Sequence, residues 1–321
     1  MKELPISVII PNFNSGNFLV QAVESIFKQE YIPKECIIVD DCSTDGSFDI
    51  ATSISKTYRN ITILKNDTNS GALLSRQRGI DFCSQDLVCL LDADDFLEDD
   101  AISNAYFLLT KENADISLFD LFRFESTEKY YPVFNKKYKV LSGQEACKLT
   151  LNGWKIHSFG VAKKELYVNA FSELKQDMQE VYNADELFDR VVLFNSLKVV
   201  QSDSPYYYRL NPSSTTQQKS PKHLKFLDSC KWILEFAQLN YKLDFKEHLA
   251  LLNSYYKNFI TIVKDYNYFL DFYGKRVLSD YLLKHLEELC SMRKQISIKN
   301  RKSLSLYLKI LLLCIYRYKL K

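Results

Sequence analysis

Short apolar strands without polar alternation occupy much of the first hundred residues, and they constrain the fold more than any other feature. These strands have the sequences ISVIIP (6–11), CIIVDD (36–41), ITILKN (61–66) and LVCLLDADD (87–95). Segments with helical spacing lie between them, at residues 16–29, 43–58 and 70–83. Strands that are apolar on both sides need helices on both faces of their sheet. The sequence therefore predicts an α/β fold with a mostly parallel sheet and helices on both faces.

In the second half of the chain, mixed strand and helix patterns give way to a polar stretch and then to helical spacing alone. The segment 153–167 predicts a strand followed by a turn, and NADELFDRVVLFNS (183–196) predicts a helix. A polar stretch, NPSSTTQQKSP (211–221), then precedes long segments of helical spacing. Because 321 residues are many for a single core, we expect a main domain at 1–218 and a helical region at 219–321.

Positive charge is concentrated in the last thirty-one residues of the sequence. Residues 291–321 hold nine of the 42 Lys and Arg residues and none of the 40 Asp and Glu residues, so the rest of the chain is acidic. An acidic body argues against nucleic-acid binding. The basic, broadly apolar segment 301–321 is interrupted by Lys309 and is too short to span a bilayer. It predicts a helix lying on the cytoplasmic membrane surface; a packed terminal helix or a homodimer contact is the alternative.

The cysteines and the N-terminus indicate a cellular compartment. None of the eight cysteines forms a Cys-X-X-Cys pair, so a zinc knuckle has no support. The N-terminus enters the first strand directly, without the pattern of a signal peptide. Both features favour a reducing cytoplasm.

Carboxylates collect where the predicted strands end. The fourth strand ends in DADD, and in an extended segment the side chains of Asp92 and Asp94 point the same way. Ligands bind outside the carboxyl ends of such strands, and Mg²⁺ and Mn²⁺ prefer carboxylate and phosphate oxygens. The pair predicts a site for one of these ions with a diphosphate, although a solvated turn is the alternative. Asp95 is expected to point away or to begin the next helix as a cap.

The second strand ends in another acidic pair, Asp40 and Asp41. We expect Asp41 to contact a ligand, because a carboxylate suits the N3–H donor of uracil. Asp45 is expected to serve as a helix cap instead. On the next helix, Arg76 is predicted to reach a diphosphate or to support an aspartate.

Four motifs together resemble glycosyltransferase family 2, the inverting nucleotide-sugar transferases with the A-type (GT-A) fold. They are SVIIPNFNSGNFLVQAVESI, IIVDDCSTDGS, NSGALLSRQRG and LLDADD, in the order and at the spacing of that family. The resemblance covers residues 6–95. It implies that residues 1–115 bind the nucleotide sugar, that 116–218 bind the acceptor, and that Mn²⁺ or Mg²⁺ is the cofactor.

The resemblance also implies roles for single residues. Pro11, Phe13 and Asn14 would frame the nucleotide, with Asp41 on uracil. Arg76 takes the position of the family's usual arginine, although Gln77 replaces the asparagine common after it. Asp92 would lie near the ribose or the metal, and Asp94 would bind the metal directly.

A base must take the proton of the acceptor hydroxyl. The segment NADELF resembles the Glu-Asp helix start of the family, which puts the base on Asp185. Ala184 replaces the preceding glutamate, so a shift of one residue would give the role to Glu186. The alternative is that Asp185 only caps the helix.

The acceptor side is less defined. Trp154 could stack on a sugar or belong to the core. The segment YYYRLNPSSTT (206–216) resembles the family's closing segment, which implies diphosphate contacts for Arg209 and Ser214. Asn211 stands where many relatives have a metal-binding histidine, and His157 is interpreted as structural.

The resemblance favours an enzyme that transfers a sugar, expected to come from a UDP-sugar, to a glycan or lipid-linked glycan. The product would belong to a bacterial capsule, O-antigen or exopolysaccharide. A sugar nucleotidyltransferase would need a basic, glycine-rich first loop, and PNFNSGNF has no Lys or Arg. A non-catalytic glycan-binding scaffold would not need the carboxylates that are present here.

Overall fold

The computed structural model describes residues 2–126, 129–133, 139–151, 153–179, 182–210 and 220–294. These residues fall into two compact units. The first contains residues 2–179 and 184–210, and the second contains 182–183 and 220–294.

The strands described in the structure all belong to the first unit. They are β1 (Lys2–Asn12), β2 (Tyr31–Asp40), β3 (Ile61–Lys65), β4 (Leu87–Leu90), β5 (Phe96–Leu97), β6 (Ile116–Ser126), β7 (Lys129–Pro132), β8 (Val140–Leu141), β9 (Gly160–Lys163) and β10 (Val199–Arg209). The helices of this unit are α1 (Asn17–Phe27), α2 (Ser47–Thr57), α3 (Ala72–Phe82), α4 (Ala101–Glu112), α5 (Gly143–Leu151), α6 (Lys164–Glu173), α7 (Gln176–Gln179) and α8 (Ala184–Asn195).

The strands form one mixed sheet with the order β3-β2-β1-β4-β9-β6-β10-β5, while β7 pairs with β6 and β8 with β10. The first four strands in this order are parallel, as the sequence predicts. In the central strand, Ile9 lies opposite Ile37 on β2 and Leu90 on β4. β9 runs antiparallel to both of its neighbours, whereas β6 and β10 are again parallel to each other.

The core explains why these segments become strands. Ile6, Val8, Ile9 and Ile10 are all fully buried, so side chains on both faces of β1 are covered by protein. Such burial stabilises each large apolar side chain by about 1.5–3 kcal/mol. On one face α3 lies close to β1, and a Cβ added at Gly79 would come within 2.5 Å of Ile9. The helix can therefore approach the sheet only because residue 79 has no side chain.

The segment 153–167 differs in part from its prediction. The predicted strand exists as β9, but the residues after it form α6 rather than a turn. Leu166, Tyr167, Ala170 and Phe171 bury one face of α6. The predicted helix at 183–196 is present as α8 and carries the candidate base.

The second unit is helical. It contains a 3₁₀ helix (Pro221–Lys225), α9 (Phe226–Asn240), α10 (Phe245–Lys264), α11 (Tyr266–Tyr273) and α12 (Lys275–Lys294). Asp244 and Glu247 form a reciprocal capping box at the start of α10. None of the helices in the described ranges is long and apolar enough to cross a membrane.

Candidate active site

The loops after β1 and β2 are tied together at the carboxyl edge of the sheet. Asn12 donates to Asp40 Oδ1 at 2.8 Å, and Asn14 Oδ1 accepts from the backbone N–H of Thr44 at 2.8 Å. Asn14 has a positive φ of 51°, which asparagine tolerates better than most residues. Pro11 is buried, whereas the side chain of Phe13 is 39% exposed. Phe13 is therefore accessible at the edge where the sequence predicts the nucleotide.

Asp41 serves the protein itself in this arrangement. It is buried, and its carboxylate accepts from Asn66 Nδ2, from the backbone N–H of Ser70 and from that of Gly71, at 2.7–2.8 Å. Gly71 has a φ of 88° and directly precedes α3. Asp41 thus fixes the start of α3, while its contact with uracil stays a prediction.

Arg76, on α3, joins the two halves of the first unit. Its side chain is only 6% exposed, its Nη2 donates to Asp92 Oδ1 at 2.6 Å, and its Nη1 lies 3.9 Å from Asp185 Oδ2. Burial disfavours the charge, but Asp92, Asp185 and Asp189 more than offset this effect. The pKa of Arg76 therefore lies above its ordinary value. Three predicted site residues, Arg76, Asp92 and Asp185, are brought together.

The three carboxylates of the DADD turn differ in their exposure to solvent. The side chain of Asp92 is 26% exposed, and Asp94 is half-buried. Asp95 is fully buried and accepts from the Tyr206 hydroxyl at 2.7 Å and from the backbone N–H of Arg209 at 2.8 Å. Of the two alternatives expected for Asp95, the helix cap is wrong, because Asp100 stands at the cap position of α4 and the carboxylate of Asp95 is bound by β10 instead. Burial raises the pKa of Asp95, and Asp92 and Asp94 raise it further.

The turn offers the donor chemistry that a divalent ion needs. Within the described ranges, no group of three or more His, Cys, Asp or Glu side chains is arranged to hold a metal ion. Mg²⁺ typically takes one or two protein carboxylates and completes its shell with water and substrate phosphates. Asp94 and Asp92 would supply the two carboxylates of such a site, and their binding of a metal stays a prediction.

The first turns of α8 carry three carboxylates with different surroundings. Asp185 is 39% exposed, yet desolvation by the surrounding protein raises its pKa, while Arg76 acts in the opposite direction. Glu186 forms an ion pair with the buried Arg190 at 3.2 Å. One turn after Asp185, burial raises the pKa of Asp189 to about 7, and this carboxylate accepts from Ser158 at 2.6 Å. A pKa raised by desolvation makes Asp185 a better proton acceptor than an exposed aspartate.

Trp154 lies against the same helix. The guanidinium of Arg190 is 4.4 Å from the centre of the Trp154 ring, and the tryptophan is half-buried. Arg190 Nη2 also donates to the carbonyl of Thr150 at 3.1 Å. Trp154 and Glu186, the two acceptor-side predictions, therefore contact the same arginine.

Arg209 is surrounded by aromatic rings. Its guanidinium carbon lies 4.8 Å from the ring of Phe18, 5.1 Å from Phe96 and 5.6 Å from Phe124. Its Nη2 donates to Gln21 at 2.7 Å. Burial lowers the pKa of Arg209, and the carboxylates of Asp95 and Asp94 oppose that effect. The arginine is thus held by α1 and the sheet within electrostatic range of Asp94, while its diphosphate contact stays a prediction.

His157 has the structural surroundings that the sequence predicts. Its Nδ1 accepts from the backbone N–H of Phe159 at 2.9 Å, and its Nε2 lies 2.9 Å from the carbonyl of Phe119, to which it donates. Burial lowers its pKa to about 4. The predictions for Ser214, Asn211 and the tail 301–321 lie outside the described residues.

Sequence reasoning missed three side chains of this region, Asn66, Asp189 and Arg190, and it did not find the partners of Asp95. For Asp189 a signal existed, because it follows Asp185 by four residues and so shares its helix face. Glu186 precedes Arg190 by four residues in the same way, but the contacts of Arg190 with Thr150 and of Asp95 with Tyr206 join segments far apart in the chain, which spacing does not reveal.

Known proteins are similar to this chain in sequence and in fold. Residues 7–161 match the model of Glycosyl transferase family 2. Glycosyltransferase GlyG of Streptococcus pneumoniae serotype 4 is 28% identical over 225 residues, which cover 67% of this chain and 73% of GlyG. The putative teichuronic acid biosynthesis glycosyltransferase TuaG of Bacillus subtilis is 37% identical over 90 residues, which cover 28% of this chain and 36% of TuaG. Several other curated relatives are also matched over less than two thirds of their length.

A crystal structure of S. aureus TarS 1–349 in complex with UDP-GlcNAc superimposes with a TM-score of 0.64 at 18% identity, covering 91% of this chain and 81% of that one. This likeness confirms the GT-A fold class predicted from the sequence. The predicted family and enzyme class are confirmed as well. The matches and the fold identify the chain as a glycosyltransferase, and its residues 7–161 belong to glycosyltransferase family 2.

Proposed function

We propose that this chain transfers a sugar from a UDP-sugar to a hydroxyl of a bacterial surface glycan or lipid-linked glycan, with inversion at the anomeric carbon. The observation that carries the proposal is the contact of buried Arg76 with both Asp92 and Asp185. This arginine connects the turn that would hold the diphosphate to the helix that would hold the base. TarS, which shares the fold, was crystallised with UDP-GlcNAc, and this supports a UDP-sugar donor.

On the donor side, Pro11, Phe13 and Asn14 frame the nucleotide, and Asp41 lies at the uracil end of the pocket. Asp94 would hold Mn²⁺ or Mg²⁺, with Asp92 beside the ribose and the metal. A metal held there would supply positive charge for the departing diphosphate. Arg209, already within electrostatic range of Asp94, adds a positive charge to the same region.

On the acceptor side, Asp185 is the base. It takes the proton of the acceptor hydroxyl while the oxygen attacks the anomeric carbon. The bond from that carbon to the diphosphate breaks, and its electron pair leaves with UDP. Asp185 is preferred to Glu186, because the Glu186 carboxylate is already paired with Arg190.

A UDP-release assay over a panel of UDP-sugars, with Mn²⁺ or Mg²⁺, tests the reaction. We expect Asp94→Ala to lose metal-dependent donor binding, and Asp185→Asn to bind the donor but to transfer no sugar. Asp81→Asn, an exposed carboxylate on α3, is the matched control and should behave as wild type. Transfer at the wild-type rate by Asp185→Asn would show that the base is assigned wrongly.

The anomeric configuration of the product tests inversion separately. An α-linked UDP-sugar should give a β-linked product, read from the anomeric proton coupling in the NMR spectrum. A product with the configuration of the donor would reject the single-displacement mechanism.

We further propose that the enzyme acts in the cytoplasm, at the inner face of the membrane, where its basic tail holds it. We expect the full chain to sediment with anionic vesicles and to be released by salt. Replacing Lys302 and Lys309 with glutamate should abolish sedimentation and leave UDP release unchanged. A homodimer is the alternative use of the tail, and light scattering at two protein concentrations distinguishes the two.

A further inference from the structure

The loop that carries Trp154 is attached to α8 on both sides of the tryptophan. Before it, the carbonyl of Thr150 accepts from Arg190 Nη2 at 3.1 Å. After it, Ser158 donates to Asp189 Oδ2 at 2.6 Å. Because these attachments go to consecutive residues of one helix, they fix the position of the loop relative to the base on that helix.

Arg190 brings Trp154 close to the first turn of α8. Side chains on a helix lean toward its N-terminus, and Arg190 Nη1 donates to the Glu186 carbonyl at 2.5 Å and to the Glu186 carboxylate at 3.2 Å. The ring of Trp154 lies 4.4 Å from this guanidinium. Glu186 directly follows Asp185, so Arg190 links Trp154 to the residue next to the base.

Arg190 occupies one face of the tryptophan, which keeps partial exposure elsewhere. The arginine is itself buried, so its charge is engaged by Glu186, Thr150 and the ring. An aromatic ring held in this way offers a flat apolar surface without further loss of side-chain entropy. The apolar face of a pyranose ring is the natural partner of such a surface.

The charges around the base disfavour an anionic acceptor. Asp185 and Glu186 are adjacent at the start of α8. The two arginines that face them, Arg76 and Arg190, are both buried and both paired with carboxylates. A phosphodiester directly beside the nucleophilic hydroxyl would meet these carboxylates, while Arg76 and Arg190 are already paired. The exposed Lys155, which follows the tryptophan, is the described cation that a phosphodiester farther along the acceptor could contact.

Building on the proposed transfer reaction, we infer that Trp154, positioned by Arg190, stacks on a neutral pyranose at the acceptor end. The chain then glycosylates a sugar hydroxyl and not the hydroxyl of a polyol-phosphate polymer. Trp154 is the binding residue, and Arg190 is a positioning residue that acts through it.

The test compares neutral pyranosides with a polyol-phosphate oligomer as acceptors, in the full chain. Trp154→Ala should raise the acceptor KM about tenfold, while Trp154→Phe should keep most of the affinity. The donor KM is measured alongside as the reference, because Trp154 is assigned no contact with the donor. Arg190→Gln should raise the acceptor KM with little change in kcat, and Arg190→Lys should recover part of the loss. Trp232→Phe, in the second unit, is the control and should match wild type.

Binding is also measured without turnover. In the Trp232→Phe background Trp154 is the only tryptophan, so its fluorescence should change when a neutral pyranoside binds. This measurement stands even if Arg190→Gln fails to fold.

Any one of three results would overturn the inference. The first is an acceptor KM for Trp154→Ala within twofold of wild type, and the second is better use of the polyol-phosphate oligomer than of any pyranoside. The third is no fluorescence response to the pyranosides. If wild type still releases UDP from a UDP-sugar, the inference fails alone. If it releases no UDP from any of them, the proposed function fails as well.

Discussion

Asp95 gives the sharpest test of how this site is built. The buried carboxylate accepts from the hydroxyl of Tyr206, which is also fully buried, and from the backbone N–H of Arg209. Asp95→Ala removes both acceptors at once. A buried donor left without an acceptor costs about 1–3 kcal/mol, so the free energy of unfolding should fall by about 2–6 kcal/mol.

Asp95→Asn separates hydrogen bonding from charge. The amide oxygen can accept from the backbone of Arg209, and the amide nitrogen can donate to the Tyr206 oxygen. We therefore expect this variant to lose about 1–3 kcal/mol, less than the alanine variant, because the Arg209 N–H keeps its acceptor and only the buried Tyr206 O–H loses one. It also removes the repulsion that Asp95 experiences from Asp92 and Asp94.

Urea unfolding measures these differences, provided that the signal comes from the first unit alone. Trp154 lies in that unit and Trp232 in the other, so the series is made in the Trp232→Phe background and followed by tryptophan fluorescence. The two units need not unfold together, and one reporter restricts the measurement to one transition.

The pH dependence adds a second criterion. Burial raises the pKa of Asp95 in the folded protein above its ordinary value of about 3.9, so the folded state holds its proton more tightly than the unfolded state does. The contribution of Asp95 to stability is therefore lost as the pH rises from about 4 through the folded pKa. Relative to wild type, Asp95→Asn should be more favourable at pH 8 than at pH 5. Equal losses for the alanine and asparagine variants, or no pH dependence of their difference, would refute this account.

Three further predictions concern neighbouring groups. Burial raises the pKa of Asp189 to about 7, so stability should fall between about pH 4 and 7; Asp189→Asn should flatten that decline in urea titrations. His157 should make stability change with pH in the opposite direction. Its pKa is lowered to about 4 from about 6.5, so about 3 kcal/mol of stability should be lost as the pH falls through that interval. His157→Gln should make acid unfolding shallower. Arg76→Met should lower the free energy of unfolding by about 1.5–3 kcal/mol, because Asp92 loses a charged hydrogen bond. The double variant Arg76→Met with Asp92→Asn should recover part of that loss.

The strands of the parallel sheet and the edge that carries the aspartates could be predicted, because both are indicated by residues that are neighbours in the sequence. Ile9 lies in a run of apolar residues without polar alternation, and such a run indicates a strand covered on both faces. Asp92 and Asp94 follow such a strand directly. Their place at the carboxyl edge follows from the parallel order of the first strands.

The tertiary partners could not be predicted in the same way. The burial of Asp95 depends on β10, which lies more than a hundred residues later in the chain. Arg190 looks like a surface residue of an amphipathic helix until Thr150 and Trp154 are known to cover it. The helix α6 was missed because the segment 153–167 contains only its first turn, while its buried face continues to Ala170 and Phe171.

The bonds that Asp41 makes to the backbone before α3 have an evolutionary consequence. The same carboxylate that ends the second strand holds the N–H groups of Ser70 and Gly71, and Arg76 follows on the helix they begin. Loss of Asp41 would therefore disturb Arg76 even in an enzyme that used a different nucleotide. Selection should retain this aspartate while the nucleotide preference of related enzymes changes around it, so its presence in a homologue is a weak guide to the base that homologue binds.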